Sequence, residues 1–400
     1  MKKALSFLAI ALLCVSCAQP PKEHWVVVCV PVYGQSLALG EEAERLTDFD
    51  SLANYADGRI VTENLDYDFG YYEFDDLKKM AKKMVKYQKR SFELSIYTMA
   101  QRLVDQLGKD TLICIFPGGQ GATQLSNLSK GTRPYQEFLE DIEKAYKLTK
   151  ENGWDFKIPA ICWMQGESDI EDYPNTNYQK QLSKIWKDMN TDIHQITQQQ
   201  DTVRFICYQT NSLARGRKYD ANNFHCIETA VPQTFVNMLR DNQYFWASGP
   251  TYPYHCVDEK IHIDANGQQH IGELSARSVL GILRGSKRNT GLIPTTLSID
   301  NQNVIISFNP LHPPLKIDTL QVRKANNYGF SVITKDNRNI AQSVILEGSN
   351  VRIICTESPQ GCKVRYAVNG DPLKSGNQHG PRGNLRDSSG NWCYMFDQPL

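Results

Sequence analysis

The run Val26-Val27-Val28-Cys29-Val30-Pro31-Val32, closing on Tyr33-Gly34-Gln35-Ser36, decides the fold. A nearly continuous row of β-branched residues, with no polar alternation, marks a strand buried on both faces. Such a strand belongs inside a parallel sheet covered by helices on both sides. Working outward, the same kind of run recurs at Leu112-Ile113-Cys114-Ile115-Phe116, from Ile158 to Trp163, and from Val203 to Tyr208. Helix-forming segments separate these runs. Residues 74 to 107 are long, charged and rich in helix formers. Between 134 and 151, Phe138, Ile142, Ala145 and Leu148 share one helical face, and Gly153 ends it. Tyr178 to Ile196 turns Leu182, Ile185 and Met189 inward. Ile227 to Leu239 reads as a helix interrupted near Pro232, and a last helix over 264–284 is capped by Asp264. This alternation predicts an α/β domain over 25–285, with its chemistry just past the carboxyl ends of the strands.

After Arg284-Gly285 the pattern changes. Short strand-like runs at 295–299, 304–308, 320–322, 343–346, 351–354 and 363–367 are separated by turn residues. They predict an all-β sandwich domain over 290–400. Its tail, 368–392, is rich in Gly, Asn and Ser and reads as a long loop.

Composition narrows the function. At 400 residues the chain has room for one large domain and a smaller one. Hydrophobic residues at 41% allow a packed core, and 44 basic against 44 acidic residues leave no net charge. A nucleic-acid partner, which calls for clustered basic excess, is disfavoured. At the N-terminus, Lys2 and Lys3 precede an apolar run from Ala4 to Val15 and then Ser16-Cys17. That is the layout of an export signal over 1–17, too short to span a bilayer. A Cys at the cut is similar to the lipid-attachment site of bacterial lipoproteins. The similarity implies an exported lipoprotein in the periplasm or at the outer-membrane surface, held only by lipid on Cys17. Cys29, Cys114, Cys162 and Cys207 lie within buried runs, where free Cys acts as a small hydrophobe. Cys355 and Cys362 are placed for a hairpin disulfide, with the reduced pair as the alternative. No Cys or His pair has zinc spacing, so no metal is expected.

Four short segments carry chemistry. Gly34-Gln35-Ser36 follows the first strand and places a hydroxyl on a turn at a strand end. Pro117-Gly118-Gly119-Gln120-Gly121-Ala122-Thr123 follows the second, with small residues that let backbone N–H groups approach a ligand. Trp163-Met164-Gln165-Gly166-Glu167 follows the third; the Gln165 amide is a candidate donor to an oxyanion, with Glu167 as a group to orient it. Asp258-Glu259-Lys260-Ile261-His262 precedes the last helix and offers an imidazole with an acid close behind it.

In this order and spacing the segments resemble the SGNH hydrolases, in the branch of sialate O-acetylesterases and family 6 acetylxylan esterases. That branch carries Gly-Gln-Ser, Gly-Gly-Thr, Trp-x-Gln-Gly-Glu and Asp-x-x-His. Three departures stand out: Gly121-Ala122-Thr123 in the second block, Glu259 where the fourth has Asp, and Leu37 where Asn commonly follows the nucleophile. Val364-Arg365-Tyr366-Ala367 and Gly383-Asn384-Leu385 look like the C-terminal sandwich attached to some sialate O-acetylesterases. The resemblance implies a three-layer α/β/α, flavodoxin-like sheet with that sandwich behind it. It implies a serine carbohydrate esterase that removes acetyl groups from a glycan such as acetylated sialic acid or xylan, with no cofactor. Ser36 would be the nucleophile, His262 the base, and Glu259 the acid, with Asp258 as competitor. Ser36 and Gly121 (or Ala122) N–H groups and the Gln165 side chain would form the oxyanion hole, supported by Gln35 and Glu167. Two other readings are weaker. A glycan-binding lipoprotein without catalysis would not need all four roles filled, and a lipase or thioesterase would need an apolar lid that the sequence lacks.

Overall fold

A computed structural model describes residues 24–48, 51–52, 54–62, 92–172, 177–210, 212, 219–220, 225–226, 229–371 and 373–400. The expected export signal with Cys17, and the 74–91 part of the expected helix over 74–107, lie outside these residues.

The central strands are each broken at one level. β1 (Val26–Cys29) continues into β2 (Val32–Gly34) across Val30-Pro31. After β3 (Ile60–Val61), β4 (Thr111–Cys114) continues into β5 (Pro117–Gly119), and β6 (Asp155–Lys157) into β7 (Ala160–Met164). Pro31, Pro117 and Pro159 stand at these breaks. Each lacks the N–H that an uninterrupted ladder needs, so the expected single strands are pairs of shorter ones. Pairing nonetheless carries across the break: Val30 N–H donates to Cys114 O at 2.9 Å, and Cys162 N–H to Pro31 O at 2.9 Å. One layer runs β3-β4-β1-β6. The other runs β11-β8-β7-β2-β5, with β8 (Arg204–Gln209) and β11 (Phe245–Pro250), and all of these pairs are parallel. β11 has no counterpart in the sequence reading, because Ala247-Ser248-Gly249-Pro250 lacks the β-branched signature of its neighbours. Between β8 and β11, β9 (Tyr219–Asp220) and β10 (His225–Cys226) form a small antiparallel pair.

The helices are α1 (Ser95–Gln106), α2 (Arg133–Glu151), α3 (Glu167–Asp172), α4 (Tyr178–Thr197), α5 (Ala230–Asp241) and α6 (Ala265–Leu283). α1 and α6 pack together on one face of the sheet, while α2, α4 and α5 cover the other. The close α1–α6 approach depends on Gly272, where an added Cβ would fall 2.1 Å from Ser95 O. Asp264 caps α6 as expected, accepting the Gly267 N–H at 2.8 Å. Pro232 does not interrupt α5. It lies in the first turn, where a missing N–H costs nothing.

The C-terminal region is mostly antiparallel. β12 (Pro294–Asp300), β13 (Asn303–Phe308), β17 (Asn350–Cys355) and β16 (Ala341–Glu347) form one sheet in that spatial order. β15 (Phe330–Ile333), β18 (Lys363–Tyr366) and β20 (Phe396–Pro399) form another, and β14 (Lys316–Ile317) pairs with β19 (Leu385–Arg386). The expected strand at Leu320-Gln321-Val322 is instead a bend. Asp318 Oδ1 accepts the N–H groups of Leu320 and Gln321, and this local turn wins over sheet pairing. Cys355 and Cys362 form no disulfide with each other.

The two regions interlock through residues 392–396, all buried. The Gln209 side chain accepts Met395 N–H at 2.7 Å and donates to Met395 O at 2.8 Å. Tyr394 Oη accepts Gly249 N–H at 2.7 Å and donates to Cys207 O at 3.2 Å, which bolts the last segment to β8 and β11. Replacing Tyr394 with Phe orphans a buried N–H, at a cost of about 1–3 kcal/mol. Tyr394→Phe is therefore expected to lower the unfolding free energy by that amount, read as a lower urea midpoint with an unchanged slope of the transition. An unaltered midpoint would show that this contact does not join the two regions.

Candidate functional site

The site starts from two glycines. An added Cβ on Gly34 would lie 1.9 Å from Met164 O, and one on Gly119 would lie 1.9 Å from Gly34 O. Only with no side chain at either position do the ends of β2, β5 and β7 come this close. Gln35 N–H then donates to Met164 O at 3.0 Å, and Gln120 N–H to Gly34 O at 3.1 Å. Ser36 opens a single 3₁₀ turn, Ser36–Leu39, which Gly40 closes in the left-handed region at φ 69°. Ser36 and Gln35 are both buried, and Gln35 Oε1 accepts Ser168 N–H at 3.4 Å.

The imidazole arrives from the loop before α6. Val257 N–H donates to His262 O at 2.7 Å, and Asp264 N–H to His255 O at 3.0 Å, which closes the loop on itself. Inside it, Asp258 Oδ1 accepts the N–H groups of Lys260, Ile261 and His262 at 2.9, 2.7 and 3.0 Å. The other carboxylate oxygen, Oδ2, faces His262 Nδ1 at 3.3 Å. His262 Nε2 lies 2.9 Å from Ser36 Oγ, although 226 positions separate the two residues.

Of the two acids weighed for this imidazole, the structure brings Asp258 to it and not Glu259. Glu259 sits at φ 57°, the left-handed apex of the loop, and its carboxylate pairs with Lys374 Nζ at 2.8 Å. The acid thus stands four residues before the histidine rather than three. The C-terminal region grips the same loop: Ser375 N–H donates to Glu259 O at 2.7 Å, Ser375 Oγ to Lys260 O at 2.6 Å, and Asn377 N–H to Tyr254 O at 3.2 Å.

Two further carboxylates surround the ring. Glu41 Oε2 is 3.5 Å from Nε2, and Glu42 Oε2 is 3.3 Å from Nδ1. Burial, the strongest single influence, disfavours the imidazolium. Asp258, Glu41 and Glu42 together outweigh it and hold the His262 pKa above its ordinary value. Burial likewise pushes Asp258 up, but the hydrogen bond to His262 and the three backbone donors prevail and hold it well below the usual carboxylate range. The ligand atoms of Glu42, Asp258 and His262 lie within 4.8 Å of one another, close enough to hold a divalent cation.

Gln165 is fully buried, and both of its amide hydrogens have acceptors: Asp169 Oδ2 at 2.6 Å and Thr123 O at 3.2 Å. Its Oε1 accepts the Tyr178 hydroxyl at 2.8 Å. Glu167 does not orient Gln165. It is buried, it accepts the Tyr208 hydroxyl, and burial raises its pKa. Asp169 Oδ2 also accepts Leu125 N–H at 2.9 Å, tying the second block to the third. Among the described residues, the backbone N–H groups of Ser36 and Gly121 donate to no protein acceptor. Ser36 is buried, and an unpaired buried N–H calls for a partner from outside the protein. Ala122, next to Gly121, is held at φ 50°.

Glu41, Glu42, Asp169, Tyr178 and Tyr208 carry no sequence signal that separates them from surface acids and core aromatics. The rings of Tyr33, Tyr252, Tyr254 and Trp246 are all buried and pack in the core. What the arrangement provides is a hydroxyl, an imidazole that can take its proton, an acid behind that ring, and two free N–H donors. Those are the parts of an acyl-transfer site.

The family model described as "Carbohydrate esterase, sialic acid-specific acetylesterase" matches residues 80–281, a span that includes Gln165, Asp258 and His262 and begins after Ser36. The crystal structure of a carbohydrate acetylesterase from Xanthomonas citri aligns over 93% of this chain and 80% of its own, with TM-score 0.61 and 14% identity. NanS aligns over 66% of this chain and 99% of its own, with TM-score 0.45 and 14% identity. A protein from Arabidopsis thaliana aligns over the same shares, with TM-score 0.45 and 15% identity. No curated protein sequence matches the chain.

The carboxylates around His262 have a measurable consequence. In NMR titration its ring is expected to protonate with a midpoint above the ordinary ~6.5, and Asp258→Asn is expected to move that midpoint down. A wild-type midpoint at or below the ordinary value would contradict this electrostatic picture.

Proposed function

The chain belongs to this family of carbohydrate esterases and is a hydrolase, and we propose that it is a serine esterase removing O-acetyl groups from a glycan. The observation that carries the proposal is the 2.9 Å contact between Ser36 Oγ and His262 Nε2, with Asp258 behind the ring. In the proposed reaction Ser36 Oγ attacks the acetyl carbonyl while His262 Nε2 takes its proton. The imidazolium so formed is stabilised by Asp258. Negative charge on the former carbonyl oxygen falls to the N–H groups of Ser36 and Gly121 (or Ala122), each such donor being worth about 3–4 kcal/mol in the transition state. The Gln165 amide joins them only by releasing its 3.2 Å contact to Thr123 O. Collapse of the tetrahedral intermediate transfers the imidazolium proton to the departing sugar oxygen and leaves acetyl on Ser36. Water, deprotonated by the same imidazole, then releases acetate.

Acetylated sialic acid and acetylated xylan are both candidate substrates, since the chemistry at Ser36 reads the ester rather than the sugar. Lys2 and Lys3, the apolar run from Ala4 to Val15, and Cys17 support export and lipid attachment. On that reading Cys17→Ser shifts the expressed protein from the membrane fraction to the soluble one. An unchanged distribution would argue against the anchor.

Ser36→Ala is expected to lower kcat/KM for an aryl acetate at least a thousandfold, a loss on the scale of removing a triad nucleophile. Wild-type kcat/KM is expected to rise with pH through the elevated His262 pKa, because only the neutral ring accepts the proton. Retained activity in Ser36→Ala would refute the nucleophile assignment.

A further inference from the structure

A histidine acting as base needs one carboxylate behind it, and His262 has two at equal range. Asp258 Oδ2 and Glu42 Oε2 each lie 3.3 Å from Nδ1. We propose that Glu42 is a positioning residue that shares with Asp258 the work of orienting the His262 ring and balancing its charge. The inference rests on the reading of His262 as general base.

Three observations converge on it. The loop carrying Asp258 has one residue more between acid and histidine than Asp-x-x-His allows, and Glu259 absorbs it at φ 57°. Asp258 Oδ1 is committed to three backbone donors, so only Oδ2 reaches the ring, at a distance just beyond a good N–H···O bond. Glu42 meets the same nitrogen from the opposite chain segment, directly after the nucleophile turn. Its backbone is held at φ 63°, a region that a Glu seldom adopts. A strained backbone that delivers a carboxylate to the base is more economically explained by a role at that base than by chance. The placement also links the two halves of the site: Ser36 and Glu42 lie on one short segment, and both contact the ring that Asp258 holds. The other charged groups facing His262 are Glu41 on that segment and Glu167 on α3.

Glu42→Gln, Asp258→Asn and the double variant test the idea with an aryl acetate. Each single change is expected to lower kcat about tenfold with little effect on KM. The double change is expected to lower it by about a thousandfold or more, beyond the product of the singles, because each acid covers for the loss of the other. The acid limb of the pH profile should move to lower pH in Glu42→Gln, and Glu42→Asp should restore part of the loss. Wild-type kcat and an unshifted acid limb in Glu42→Gln, both alone and with Asp258→Asn, would overturn the proposal, as would an effect confined to KM. NMR titration of His262 in Glu42→Gln probes the same role without turnover: a lowered midpoint supports it and an unchanged one refutes it. Failure of the esterase reading itself would appear separately, as activity surviving in Ser36→Ala.

Discussion

Backbone meeting backbone at Gly34, Gly119 and Met164 is the constraint on which the site depends. Three parallel strands end side by side, and two of those ends have no room for a methyl group. Because the strands close up there, the turn after β2 leaves the sheet at a fixed angle and presents Ser36 beside the loops that follow β5 and β7. The proline breaks one turn earlier serve the same end. They divide each central strand, so that β2 and β5 can end in Gly34 and Gly119 while β1 below stays a Val-Val-Val-Cys run. The buried apolar residues of both levels supply the burial that stabilises the fold. The residues that follow β7 can then include the buried Gln165, Glu167 and Asp169, each of them hydrogen-bonded.

Electrostatics follow from that burial. His262 is removed from water, which alone would favour its neutral form, yet it is ringed by Asp258, Glu41 and Glu42. The balance leaves a ring that is a stronger base than a free histidine and whose cation, once formed, is already compensated. The histidine loop is not held by the α/β domain alone. Residues 374–377 of the C-terminal region fasten the loop backbone on both sides of Asp258. The C-terminal region thus buttresses the His262 loop, and it is itself anchored by residues 392–396, buried against β8 and β11.

The α/β pattern was legible in the sequence because β-branched runs and 3.6-residue periodicity act locally. It failed where local chemistry differed. After Phe245-Trp246, β11 continues as Ala, Ser, Gly and Pro, too short an apolar signal to announce the strand that pairs with β8. Leu320 to Val322 alternates like a strand, but Asp318 draws its backbone into a bend. Ser36 and His262 were legible as motif residues, and their meeting is a tertiary fact that spacing only implies. Of the two acids the motif left open, counting positions favoured Glu259, but the loop bulges there and brings Asp258 to the ring instead. Glu42 was invisible for a different reason: a Glu three residues past a helix turn is ordinary, and only the left-handed backbone and the folded loop bring it to Nδ1. Gln165 was read as an amide at a strand end able to donate to an oxyanion. That Asp169, Thr123 and Tyr178 already occupy it could not be read from the chain.

The most direct test of the central claim is to stop the reaction with acid while an aryl acetate is turning over and to map the acetyl group by peptide mass spectrometry. Attack by Ser36 predicts acetyl on the peptide containing Gly34-Gln35-Ser36, on the serine, at a level that decays once substrate is exhausted. Turnover with acetyl on another residue, or with no covalent adduct under conditions where deacylation is slowed, would contradict it.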